Sequence, residues 1–221
     1  MLGAKSPLRR PLLRGWSHAV AAVGASLFTV LLVIRCLGDA PRLSTMLFYG
    51  LTSIWLFACS AIYHVVTWTP SRRRVWRAMD HGNIYLMIAA TSTTIGVNVL
   101  SGWDQALLLT SVWLLAGIGI LVAVFHVRLS SLPRVGLYLL TGLTGLLALP
   151  GMLQTLPGVA LWSIVGGGVL YGIGGGIYAF KRPDPFPRVF GYHEIFHLLV
   201  IAGWLIFAMV VWVWVVPFGR S

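Results

Sequence analysis

Residues 191–216 read GYHEIFHLLVIAGWLIFAMVVWVWVV. Beyond His197 the run carries no charge and is long enough for a helix that crosses a bilayer, which takes roughly 20 residues. At its head His193 and His197 stand four residues apart, on one helical face and about 6 Å apart along the axis. That spacing suits two ligands of one metal ion. Two imidazoles and the Glu194 carboxylate at the mouth of an apolar helix are costly to strip of water, so they call for partners elsewhere in the chain.

Similar runs recur on the amino-terminal side. With 58% apolar and 10% charged residues in 221, the chain lies outside the usual composition of soluble domains. Bilayer-length apolar stretches fall at 16–37, 43–66, 82–100, 106–126, 135–149, 159–180 and 189–216. The expected fold is an all-α integral membrane protein, a bundle of seven transmembrane helices. Residues 1–15 form a basic segment, 16–216 a single membrane domain and 217–221 a short tail. The first apolar run is long for a secretory leader and no clear small-residue cleavage site follows it, so it is expected to be retained.

The net charge of +11 does not point to nucleic acid, because of where the charges sit. Thirteen of the sixteen basic residues fall before the first span or between spans two and three, four and five, and six and seven. Only Arg35, Arg42 and Arg220 fall on the other side. By the positive-inside rule the amino terminus is cytoplasmic and the carboxyl terminus outside, with the basic loops facing anionic headgroups. Cys36 and Cys59 form no CxxC pair, and packing rather than a disulfide framework is expected of them.

This topology brings three helix ends to one leaflet. Ser60 and His64 share a face in the last two turns of the second span, Asp80 opens the third, and the histidine pair opens the seventh. Neutral imidazoles and a carboxylate suit Zn²⁺, and three His with an open position have the form of a catalytic site. In that arrangement His64, His193 and His197 bind the metal. Asp80 acts through a water, which it orients or deprotonates, and Ser60 hydrogen-bonds that water or a developing oxyanion. A metal-free polar network joining the same helices is the structural alternative. His193-Glu194-Ile195-Phe196-His197 also fits the HExxH pattern of zinc proteases, with Glu194 as general base and Asp80 as third ligand. His64 is the better third ligand, which leaves Glu194 to face Arg188 or the interface.

Other polar residues read as structural. His18, His81 and His126 are expected at interfaces or in helix packing, and Thr91 to Thr94 and Asn98 in hydrogen bonds within or between helices. The glycine triplets at 166–168 and 174–176 read as close helix contacts rather than a phosphate loop. Residues 181–188 form a stiff, proline-rich turn into the histidine pair.

Three stretches together, Ser60-Ala61-Ile62-Tyr63-His64, Met79-Asp80-His81-Gly82-Asn83-Ile84-Tyr85 and Phe190-Gly191-Tyr192-His193-Glu194-Ile195-Phe196-His197, resemble the hemolysin III family of bacterial membrane proteins. That family is related to the progestin and adiponectin receptors and more distantly to alkaline ceramidases. The resemblance runs through most of the chain and implies seven helices with the amino terminus inside, in a bacterial inner membrane. It also implies zinc on His64, His193 and His197, Asp80 acting through water, and Ser60 nearby. The receptor and ceramidase relatives look like lipid amide hydrolases, which makes a membrane lipid the implied substrate; the bacterial members are named for haemolysis and linked to membrane homeostasis. Where the family tends to read Ala-Gly-Thr-Tyr-Thr-Pro, this chain has Ala89-Ala90-Thr91-Ser92-Thr93-Thr94, so the family's kink is not carried over. Three functions stay open: a zinc-dependent lipid hydrolase, a pore-forming or membrane-sensing protein with a structural metal, and an intramembrane protease.

Overall fold

The structure, a computed structural model, describes residues 11–219. Lys5, Arg9, Arg10 and Arg220 of the charge argument lie outside the described residues. Eight α-helices follow one another: α1 (Trp16–Arg35), α2 (Ala40–Val65), α3 (Pro70–Val99), α4 (Gly102–Val124), α5 (Ser131–Leu143), α6 (Leu149–Thr155), α7 (Gly158–Phe180) and α8 (Tyr192–Val210). A tight 3-10 segment, Thr144–Ala148, joins α5 to α6, and a π-helical turn, Val211–Val215, extends α8. The 3-10 segment lies one turn before Pro150, which lacks the N–H that a continuous helix needs there. The fifth apolar stretch is therefore a broken unit, 131–155, rather than one regular helix.

Consecutive helices are neighbours, α5 packs on α7, and α8 returns to α1, so the bundle closes. Among the described residues six helical units are long and apolar enough to cross a membrane: α1, α2, α4, Ser131–Thr155, α7 and Tyr192–Val215. The chain is a multi-pass membrane protein. Helix α3 is not among the six, for a physical reason. Its first turns carry Arg72, Arg73, Arg74 and Arg77, and its buried face carries Asn83, Thr94 and Asn98. It packs against α2, α4, α5 and the end of α8, and a helix so enclosed needs polar satisfaction from its neighbours rather than an apolar outer face. Asn98 Nδ2 donates to Thr45 Oγ1 and to Thr94 O, both at 2.8 Å, and Thr94 Oγ1 donates to Thr45 O at 3.2 Å. Pro70 sets the first turn, so α3 begins ten residues before Asp80, and Asp80 is not a helix cap.

Close contacts explain part of the glycine pattern. A Cβ on Gly167 would lie 2.8 Å from Phe207, and one on Gly175 would lie 2.7 Å from Val135, whereas Gly166, Gly168 and Gly176 face open space. One residue in each triplet thus faces away from open space at a helix crossing, with Gly174 added in the second. Arg35 and Arg42, two of the minority basic residues, serve the chain end: Arg35 donates to Trp212 O at 3.0 Å, and Arg42 donates to Val216 O and Phe218 O. Cations at the last carbonyls satisfy orphan acceptors and complement the helix dipole.

Candidate metal centre

Helix α2 ends, α3 passes and α8 begins at the same end of the bundle. Each contributes through local periodicity: Ser60 and His64 on one face of α2, Asp80 on α3, His193 and His197 one turn apart on α8. One nitrogen from each of His64, His193 and His197 lies within 4.8 Å of the others. His64 Nε2 and His193 Nε2 are 3.2 Å apart. Ligands at 2.0–2.1 Å from one tetrahedral zinc stand about 3.3 Å from each other, so the donors present fit such an ion with little side-chain movement. The ring centroids are 4.5 to 5.1 Å apart, and the rings are inclined to one another rather than stacked.

Asp80 Oδ2 is 3.9 Å from His64 Nε2. That is beyond a direct hydrogen bond and suits a bridging water. Ser60 is buried, with its hydroxyl beside the Asp80 carboxylate. All five side chains singled out from the sequence therefore meet in one place.

Glu194 does not. One turn into α8, its Oε2 accepts the Gly191 N–H at 2.8 Å, closing the first turn of the helix. Its Oε1 receives Arg14 Nε at 2.8 Å. The partner is thus Arg14, 180 residues away, and not Arg188 or the lipid interface. Each oxygen is engaged by a partner other than the histidines, and 3% of the residue is exposed.

The structure adds two residues that spacing along the chain did not reveal. His18 is buried and stacks on His197, with centroids 3.8 Å apart and planes 9° from parallel, and its edge meets Phe57. It has no partner on its own helix, which is why sequence reasoning set it aside. Depth would have found it, since it lies near the basic end of the first span. Arg14 reaches Glu194 because the chain before α1 crosses the foot of α8, where the Leu12 and Leu13 N–H groups donate to Arg188 O and Val189 O. Gly15 then turns the chain into α1 with φ +87°, so close to His64 that a Cβ there would stand 2.9 Å from the His64 Cβ. His81 bonds the Arg77 carbonyl at 2.6 Å and takes no part in the cluster.

A family model described as "Haemolysin-III related" matches residues 7–208. The chain is 27% identical over 189 residues to Hemolysin-3 of Bacillus cereus, covering 85% of this chain and 83% of that protein. It is 29% identical over 166 residues to a Hemolysin-3 homolog of Bacillus subtilis (strain 168), covering 75% of each.

Proposed function

The chain belongs to the haemolysin-III-related family, and on that premise we propose that it is a zinc-dependent hydrolase of a membrane lipid amide or ester. The single observation that carries this reading is the convergence of three imidazole nitrogens beside an aspartate that stands a water's width away. In this proposal α3 is a seventh span, the amino terminus is cytoplasmic and the carboxyl terminus external, and the site lies just inside the inner leaflet of a bacterial inner membrane. The uneven placement of basic residues supports that orientation.

His64, His193 and His197 would hold the ion, which when bound would supply Lewis-acid polarisation and water activation near neutral pH. Asp80 orients the attacking water through Oδ2 and accepts its proton. Ser60 donates its one hydroxyl proton to that carboxylate and so fixes its direction. Glu194 and Arg14 set the entry angle of α8, and His18 holds the His197 ring against rotation. The water oxygen bonds to the acyl carbon, the acyl bond to nitrogen or oxygen breaks, and the proton taken by Asp80 passes to the leaving group, giving a fatty acid and an amine or alcohol. Metal analysis of purified protein tests the first half of this reading: one zinc per chain is expected, and its loss in His197→Ala. Fatty-acid release from acyl-amide and acyl-ester lipids tests the second; a zinc-loaded protein inert toward both classes would overturn it.

The name of the Bacillus relatives, Hemolysin-3, supports a second reading, a membrane-lytic protein in which the histidine cluster only ties α2 to α8. Lysis of liposomes that persists in Asp80→Asn with zinc retained would favour it.

A further inference from the structure

At the end of the bundle where α3 begins and α4 ends, two clefts open on either side of the α3–α4 seam. The first is a shallow cleft of about 30 Å³ lined by Arg77, His81, Tyr85, Arg134 and Tyr138 among others. The second has a volume of about 350 Å³ and is lined chiefly by Val75, Met79, Gly82, Leu86, Ile120 and Val124. Ala78 and His126 border both, so the basic cleft and the apolar one are contiguous.

The basic cleft is built rather than incidental. Arg134 is held by Leu129 O at 2.6 Å from Nη2, and its Nη1 lies 3.4 Å from Tyr178 Oη and 3.5 Å from His81 Nε2. Because the Arg77 carbonyl can only accept, His81 donates to it through Nδ1, which leaves Nε2 as the acceptor facing Arg134. Tyr138 Oη donates to the His81 carbonyl at 3.3 Å, and the Tyr85 ring lies flush on Gly119, where a Cβ would come within 2.3 Å. Among the described residues the hydrogen-bond partners of the Arg134 guanidinium are neutral, and no carboxylate is among those lining the cleft. Asp80 is the next residue to His81, but on a helix it projects about 100° away, toward His64 and Ser60.

Two guanidiniums with no carboxylate among the residues that line the cleft are the chemistry that receives a phosphate. An apolar trough opening from the same border at the membrane edge is the chemistry that receives an acyl chain. We propose that the α3–α4–α5 clefts bind one anionic glycerophospholipid, its phosphate between Arg77 and Arg134 and a chain along Met79, Leu86 and Val124. The site is distinct from the histidine cluster and does not depend on the hydrolase reading.

Full-length protein in a non-ionic detergent, titrated with dioleoyl phosphatidylglycerol, dioleoyl phosphatidylcholine or inorganic phosphate and read by native mass spectrometry, tests it. The expected result is one tightly retained phosphatidylglycerol, bound at least about tenfold more tightly than phosphatidylcholine, the scale of one charge-assisted contact. Arg77→Gln and Arg134→Gln should each weaken it by about tenfold, and Arg128→Gln, a basic residue outside the cleft, by less than about twofold. Arg77 has no bracing role like that of Arg134, so its variant reads the site even where Arg134→Gln unfolds. Equal binding of both lipids, equal losses in all three variants, or displacement of the lipid by millimolar phosphate would overturn the proposal.

Discussion

Glu194 separates two chemistries that the same five residues can suggest. In the structure its Oε1 pairs with Arg14 and its Oε2 caps the Gly191 N–H, with side-chain exposures of 4% for Glu194 and 21% for Arg14. Removing one partner of a fully buried ion pair destabilises by about 3–5 kcal/mol. Arg14 is partly solvated, so Glu194→Ala should fall below that, at about 2–3 kcal/mol including the buried Gly191 N–H left without its acceptor. Glu194→Gln keeps one acceptor, for the Gly191 N–H, and loses the charge and the acceptor for Arg14, which can turn to water, so about 1–2 kcal/mol is expected. The assay is thermal unfolding of purified protein in detergent, with zinc content and lipid hydrolysis measured on the same preparations. Both variants should melt earlier, in the order Ala before Gln, and Glu194→Gln should keep its zinc and most of its turnover below the new midpoint. Arg14→Gln should resemble Glu194→Gln. If Glu194→Gln melts like the wild type, retains zinc and loses hydrolysis by a hundredfold or more, the carboxylate is a general base, the HExxH reading is right, and the capping argument fails.

Asp80→Asn should lower hydrolysis by about a hundredfold or more while zinc content stays at one per chain; unchanged turnover would remove Asp80 from the chemistry. Zinc at a hundred times its Kd should raise the stability of wild-type apoprotein by about 2.7 kcal/mol and that of His64→Ala by nothing measurable, as read by melting with and without chelator. Gly15→Ala puts a Cβ at φ +87° and 2.9 Å from His64. A loss of about 2 kcal/mol and weaker zinc binding are expected, and wild-type values for both would show that the turn does not press on the site. Asn98→Leu removes one of the two hydrogen bonds from α3 to Thr45 on α2; about 1 kcal/mol should be lost in unfolding experiments, and no change would mean that the Thr94 bond suffices to hold the two helices.

Several features of this protein were legible before any fold was known, because they depend on one dimension. Apolar run length marks spans, i to i+4 spacing puts His193 beside His197, and alternation of direction gives Ser60, His64 and Asp80 the same depth. The family's Gly and Pro are missing from 89–94 and α3 runs unbroken through them, but its start at Pro70, well before the expected start at 82, was not legible. Depth and spacing leave open which way a helix is turned about its axis and which neighbour it meets. The stacking of His18 on His197, the reach of Arg14 to Glu194 and the placing of His81 with Arg134 all turn on that rotation, which packing decides.

The broken fifth unit belongs to a third kind. Pro150 and the glycines around it announced weakness, but whether the backbone tightens into a 3-10 segment or bends depends on what encloses it. The sequence by itself determined a membrane bundle and which polar residues share a level in it. The tertiary structure alone decided that Glu194 turns away from the histidines toward Arg14, because a buried carboxylate goes to the nearest cation and open helix terminus that packing brings within reach.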